Sequence, residues 1–544
     1  MISAATASAP VPERASAPLG PALRRFAALP WARVAPAALV LVVFAVAAWA
    51  IRPYPAGIFH DDGVYLILAK ALASGEGYRY LHIPGAPLAT HYPPGYPLLL
   101  AVLWRVSPDF PQNVSLFLFA NALLLAFVAR GVYAHARTSL DAPLWLAVTC
   151  ALVATLSLPL LTLTSAVMSE VLFVALLLPL LAWGERAVGA REPSTGWWQA
   201  TPFLLGIAAG ALALVRTHAL AAVAAIVLVL LLRRRWLAAL WCGVGALVAV
   251  LPWQLWIAMH DAAIPASLRG SYGSYLGWFT EGVSSGGPSF LGRTLLINAR
   301  EMAALVADRV APWTPGWPRL AGLAVAAGIL TAGGLRTARR APVTTAFVAA
   351  YLAITLVWPY SPWRFVWALW PFVVLLGVEG TRAALTARGH TAIRLAGVAA
   401  GTLLAAGLLR AELAAYGATA WTMPARSGAG QIAPLMRWVT RHTSPGDILL
   451  TDAEPLVYLF TGRQAMPPVP FTAREYAGTG DGVLGAHDDA MADLLARYRV
   501  RYVVTVVPST AAVASRLAGG SARGMTVRKA ADLPNGAAFA VEVR

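Results

Sequence analysis

From about Val34 onward the chain is a succession of apolar runs, each close to the ~20 residues that cross ~30 Å of hydrocarbon, and most are separated by arginines. The runs fall at about 34–51, 114–131, 142–160, 165–183, 199–215, 217–232, 236–257, 319–335, 341–358, 365–380 and 393–410. Few folds accept such a pattern. Of 544 residues 58% are hydrophobic and 12% charged, with a mean hydropathy of +0.64, more apolar surface than a soluble globule of this size hides. The expected fold class is an α-helical polytopic membrane protein with about eleven transmembrane helices.

The stretch Trp198–Leu232 tests that count, because it is apolar apart from Gln199 and "VRTH". One helix of that length would be ~52 Å long, well beyond the bilayer, so the stretch must turn back. Glu185, Arg186 and Arg191 before it and Arg233, Arg234 and Arg235 after it suit the cytoplasm, which leaves Arg216 and His218 at an outer turn. Arg24, Arg25 and Arg33 place the start of the first run inside, so the loop after it, 52–112, lies outside. The same parity puts "RTARR" (336–340) and Arg382, Arg388 and Arg394 inside and makes 258–318 a second large outer loop, whose Gly/Pro/Ser-rich patch at 281–288 reads as a loop. Residues 1–33, rich in Ala, Pro and Arg, read as a disordered cytoplasmic tail and 34–411 as the transmembrane domain.

Beyond about 412 the character changes. "APLMRWVTRH", "GDILLTD", "DDAMADLLARY" and "VRYVVTVV" alternate as helix, strand, helix, strand, which predicts a small extracytoplasmic α/β domain over 412–544.

The net charge of +17 does not point to nucleic acid, because the basic residues sit at the ends of apolar runs, as a positive-inside bias places them. Cys150 and Cys242 fall inside apolar runs, so no disulfide is expected. The histidines have no metal-site spacing. The 20 Trp residues, as in "PWTPGWP" (312–318), suit membrane interfaces and would also stack on sugar rings.

With this topology Asp61, Asp62, His82, His91, Glu170, Arg216, His218, Arg269 and Arg364 gather on the outer side, while the span interiors are almost free of charge. That pattern fits an outward cleft meeting a lipid head group better than a transport pathway reaching both sides. Each residue also has a structural reading. Asp62 precedes "GVYLILAKAL" and could cap an interfacial helix, and Glu170 could favour a helix N-terminus. Arg216 could snorkel to the interface, and Arg364 could stack among Trp363, Trp367 and Trp370. His91 and Tyr92, before "PPGYP", could shape an extended turn.

Four motifs, "FHDDGVYLILAKAL", "HYPPGYPLLLAVLW" (His91 to Trp104), "TSAVMSEVLFVALLL" and "YSPWRFVWALWPF", together resemble the GT-C superfamily of membrane glycosyltransferases, over about residues 35–410. The nearest branch is that of protein mannosyltransferases and lipid A aminoarabinose transferases. The resemblance implies an inverting transfer from a polyprenyl-phosphate sugar to an acceptor (lipid, polysaccharide or protein) outside a bacterial cytoplasmic membrane. Asp61 matches the first acid of the family's Asp-Asp/Glu pair and would be the general base, Asp62 is the second acid of that pair and a further catalytic candidate, and Glu170, matching the Ser-Glu position, is the third, to orient the acceptor or bind a cation. A carboxylate that takes the proton of an attacking hydroxyl lowers the barrier, and planar guanidinium forks suit a departing phosphate. Arg216, Arg364, Arg269 and His218 are the candidate phosphate ligands, with His91 and Tyr92 on the acceptor or shaping the loop. The superfamily admits a divalent cation, but no clear Asp-x-Asp is present, so no obligatory metal or other cofactor is expected. A lipid-linked oligosaccharide ligase would use the same cleft; a transporter, a flippase or a noncatalytic scaffold would bind without transfer.

Overall fold

In hydrocarbon a backbone must satisfy its own polar groups, and every apolar run is helical in the computed structural model. The structure describes residues 31–543 except 53, 190–199, 313–315, 388–390, 479–482 and 520–523. The expected tail up to residue 30, Arg191, Trp198, Gln199, Arg388 and the centre of "PWTPGWP" lie outside the described residues.

The first helices are α1 (Trp31–Ala50), α2 (Asp61–Ala73), α3 (Gly95–Val106), α4 (Val114–Thr138), α5 (Leu144–Thr155), α6 (Leu158–Thr164) and α7 (Glu170–Gly189). There follow α8 (Ala200–Ala213), α9 (Leu220–Leu232), α10 (Trp236–His260) and α11 (Tyr275–Val310). The membrane part closes with α12 (Trp317–Arg340), α13 (Pro342–Val357), α14 (Trp363–Ala368), α15 (Trp370–Leu385) and α16 (Thr391–Gly417).

Among the described residues six helices are long and apolar enough to cross a membrane, and α5 with α6, bent by 54°, makes a seventh if the pair is one span. The other expected spans are the shorter α8, α9 and α13, and α15, which carries Glu379 and Arg382. Leu204, Leu228, Leu240 and Leu247 point outward, as a lipid-facing surface requires. At the bend between α5 and α6 the freed backbone groups are met by the last span: Glu412 accepts from Leu158 N at 2.9 Å, and Tyr416 donates to Leu156 O at 2.6 Å.

The described part of the stretch Trp198–Leu232, residues 200–232, does turn back, with Arg216 extended at the break (φ −148°, ψ 128°). Gly95 N donates to Leu214 O there at 2.8 Å, and a Cβ on Gly95 would lie 2.7 Å from that oxygen, so only glycine lets the first loop rest on the turn. One expectation fails: 281–288 is not a loop but part of α11, where two helices meet at Gly287 (φ 58°, ψ −155°) before Pro288. Ser284 and Ser285 return their hydroxyls to Glu281 O just before the junction, and Pro288 suits the start of the next helix.

The C-terminal region follows helix α17 (Met423–His442) with β1 (Leu449–Thr451), α18 (Glu454–Thr461), β2 (Ala465–Met466), α19 (Val483–Tyr498), β3 (Tyr502–Thr505), α20 (Pro508–Ala518), β4 (Met525–Leu533) and β5 (Gly536–Val543). The sheet order is β2-β1-β3-β5-β4, with β1 parallel to β2 and β3, and β5 antiparallel to β3 and β4. The α/β alternation is therefore present, with a C-terminal hairpin the sequence reading did not foresee.

Charged groups collect at the two ends of the bundle. At one end buried Glu379 accepts from Arg336 Nε at 2.9 Å and pairs with Arg382. Arg382 and Arg340 each donate to Leu140 O at 3.0 Å, Arg235 donates to Ala187 O at 2.7 Å, and Glu185 accepts from Thr344 N at 2.7 Å. The other end holds the site.

Candidate active site

The loop after α1 presents His60 and Asp61 to a cavity of about 320 Å³. Its polar wall is His60, Asp61, Arg216, His218 and Arg364, and its aromatic wall includes Tyr65, Tyr92, Tyr275, Trp278, Trp358 and Phe365. The acids and arginines converge from distant positions in sequence. Arg364, at the start of α14, donates from Nη1 to Asp61 Oδ2 at 2.5 Å and from Nε to Glu170 Oε1 at 2.6 Å. Arg216, at the break before α9, pairs through Nη1 with the same Glu170 oxygen at 2.9 Å and donates to Ser169 Oγ at 3.0 Å. Its guanidinium lies 5.4 Å from the centre of the Phe365 ring.

Asp61 is held at both oxygens, since Tyr92 donates to Oδ1 at 2.7 Å and His60 Nδ1 stands 3.7 Å from that atom. Burial alone would raise the Asp61 carboxyl, yet Arg364, then His60 and Tyr92, outweigh it and hold the group well below the usual carboxylate range. The resting site therefore has an ionised carboxylate facing the cavity.

Glu170 is fully buried and does not line the cavity. It reaches the site through the two arginines, and its Oε2 has no partner among the described residues. Asp62 is also buried and outside the lining. Its expected role as helix cap is corrected: His60 occupies the cap position, with no side-chain cap bond, and the Asp62 carboxylate accepts instead from Gly57 N at 2.7 Å and Phe59 N at 3.0 Å. It ties down the loop that carries Asp61. Burial, against those N–H donors, pushes Asp62 up to about 6.

His218 stacks on Phe365 at 4.3 Å, and its Nε2 is buried with no partner among the described residues. His91 donates from Nδ1 to Gly273 O at 2.5 Å and packs on Tyr275 at 4.0 Å, so it fixes the loop against the α11 entry. Arg269 is exposed and apart from the cluster, its Nε donating to Ile264 O at 3.3 Å, because it starts a short surface turn that sends Gly270 and Ser271 to the cavity instead. His82 lies behind the wall, bonded through Nε2 to Tyr272 Oη at 2.8 Å.

Sequence reasoning missed His60, Ser169, Tyr272 and Glu454. Glu454 Oε1 accepts from His60 Nε2 at 2.9 Å and from Tyr272 Oη at 2.8 Å. A signal existed, since Glu454 is a lone acid opening the apolar helix "EPLVYLF". Among the described residues no three His, Cys, Asp or Glu side chains are grouped to hold a metal ion.

No protein-family model matches the sequence, and no curated protein matches it. Solved structures do. ArnT from Cupriavidus metallidurans bound to undecaprenyl phosphate is 14% identical, with a TM-score of 0.51 over 94% of this chain and 98% of that chain. The same protein in the apo state is 14% identical, with a TM-score of 0.48 over 95% and 98%. A shared architecture along nearly the whole of both chains gives this protein an ArnT-like fold.

Proposed function

We propose that this chain is an inverting membrane glycosyltransferase that moves a sugar from a polyprenyl-phosphate carrier to an acceptor hydroxyl or amine on the outer face of a cytoplasmic membrane. The observation that carries the reading is the joining of Asp61, Glu170, Arg216 and Arg364 into one ion-paired cluster opening on an aromatic cavity. The ArnT-like fold supports it, as does the undecaprenyl phosphate bound by that neighbour.

In this reading the acceptor attacks the anomeric carbon from the face opposite the phosphate, its proton passes to Asp61, and the carbon–oxygen bond to phosphate breaks with the electron pair leaving on the lipid phosphate. Arg216 and Arg364 receive that charge in forked geometry, with the Nε2 of His218 as a further ligand. Glu170 holds the two guanidiniums in place. Asp61 is weakly basic while Arg364 is devoted to it. A phosphate arriving on Arg364 competes for the same cation, so the basicity of Asp61 rises when the donor is bound. Aromatic faces such as Trp358 would stack on the sugar. The N-terminus is then cytoplasmic, and the region from about 412 extracytoplasmic.

The test is transfer by the purified full-length protein in nanodiscs, with radiolabelled polyprenyl-phosphate sugars and envelope lipid or polysaccharide acceptors. Transfer with inverted anomeric configuration, retained in EDTA, is expected. No transfer from any such donor, with Asp61 intact, sinks the proposal.

A further inference from the structure

We propose that Glu454, from the C-terminal region, is a positioning residue for the reacting carboxylate, acting through the His60 imidazole; this rests on the transferase reading above. The C-terminal region then completes the site rather than hanging from it.

The contact is built from both sides. Glu454 is 1% exposed and opens α18, whose next residues seat on the loop that carries Asp61. A Cβ on Gly63 would lie 2.7 Å from Pro455 Cβ, and one on Gly57 would lie 2.9 Å from Leu456 Cβ. Two glycines thus clear the seat. Tyr272 fixes the Glu454 carboxylate from a third segment, and His82 Nε2 donates in turn to Tyr272 Oη.

His60 lies between two carboxylates: Glu454 at Nε2 and Asp61 at Nδ1. Burial alone would push the imidazole down, but Glu454 and then Asp61 raise it to about 10, so both nitrogens carry protons. The other groups facing this side are Tyr272, His82 and His91. Burial lowers the two histidines to about 3 and about 4, so they stay neutral. His60 is therefore the cation between Asp61 and the C-terminal region.

The geometry gives that cation a task. Arg364 holds Asp61 Oδ2, whereas Tyr92 and His60 hold Oδ1. When a phosphate engages Arg364, Oδ2 is released to take the acceptor's proton, and the Oδ1 clamp alone keeps the carboxylate aimed. Glu454 anchors that clamp by fixing the ring and keeping it charged.

Glu454→Gln and His60→Gln in the full-length protein test this. The expected result for Glu454→Gln is a kcat about tenfold lower, within the ~10²-fold that a misplaced group costs, with donor KM unchanged. Its kcat should fall as pH rises above about 7, while the wild type holds its rate to about pH 9. The double variant should lose no more than either single one. Wild-type kcat and pH profile in Glu454→Gln, or additive losses in the double variant, would overturn the proposal. If Glu454→Gln melts earlier, His60→Gln, which leaves the Glu454 seat intact, decides by the same kcat and KM split. Carbethoxylation of His60, read by peptide mass spectrometry at pH 7, needs no turnover: strong labelling in Glu454→Gln against little in the wild type supports the pairing, and equal labelling overturns it. A wild type that transfers nothing fails the transferase reading alone, and this labelling still decides whether Glu454 holds the His60 proton.

Discussion

Both ends of the helical bundle carry a buried glutamate shared by two arginines, yet the two clusters do different things. At one end Glu379 pairs with Arg336 and Arg382, and the spare guanidinium donors go to the backbone carbonyls of Leu140 and Asp141. At the other end Glu170 pairs with Arg216 and Arg364, and the spare capacity goes to Asp61, Ser169 and a cavity. The first arrangement ties helix ends together; the second leaves cations facing open space. An ion pair alone therefore marks no site, and what its remaining donors face distinguishes the two roles.

Substitutions can break this contrast. Asp61→Asn should lower kcat about 10³-fold, in the range lost with a general base, as read by labelled-donor turnover, with a lower melting temperature because Arg364 loses a counter-charge. Glu170→Gln leaves two buried guanidiniums short of a counter-charge and should destabilise by about 3–5 kcal/mol, seen as a lower melting temperature together with lost transfer. Glu379→Gln, at the other end, should cost only about 1–3 kcal/mol because its arginines reach solvent, and should leave the kcat of the folded fraction within about twofold. Equal kinetic damage from Glu379→Gln would erase the distinction drawn here.

A smaller effect concerns pH. The folded-state value of His60, about 10, lies above the ordinary value of about 6.5. Its contribution to seating the C-terminal region is then fully present below about pH 6.5 and is lost as pH rises through about 10. Limited proteolysis should show that region cut faster at pH 10 than at pH 7, with a weaker pH response in His60→Gln.

Much of the membrane architecture is legible in the sequence because hydrocarbon permits so few backbone solutions; the hairpin at Arg216 follows from length alone. The loop expected at 281–288 failed because glycine and proline at a junction between two helices look the same as in a loop. In the site, Asp61, Arg216 and Arg364 stand out as charges in an apolar chain, and they do meet. Arg269 carries the same signal and does not, since side-chain direction on a short turn is invisible to pattern. His60 and Glu454 could not be paired by reading along the chain: 394 positions separate them, and only the docking of the C-terminal region brings them together.

The bend between Thr155 and Leu158 bears on biosynthesis. Leu158 N and Leu156 O are met by Glu412 and Tyr416, near the end of the last span. Those backbone groups find their partners on a helix made some 250 residues later, so the bend between α5 and α6 is completed only when that helix arrives beside it. Insertion and folding of this chain are therefore separated in time, and translation stalled before residue 412 should leave a membrane-embedded intermediate whose first half has not reached its final shape.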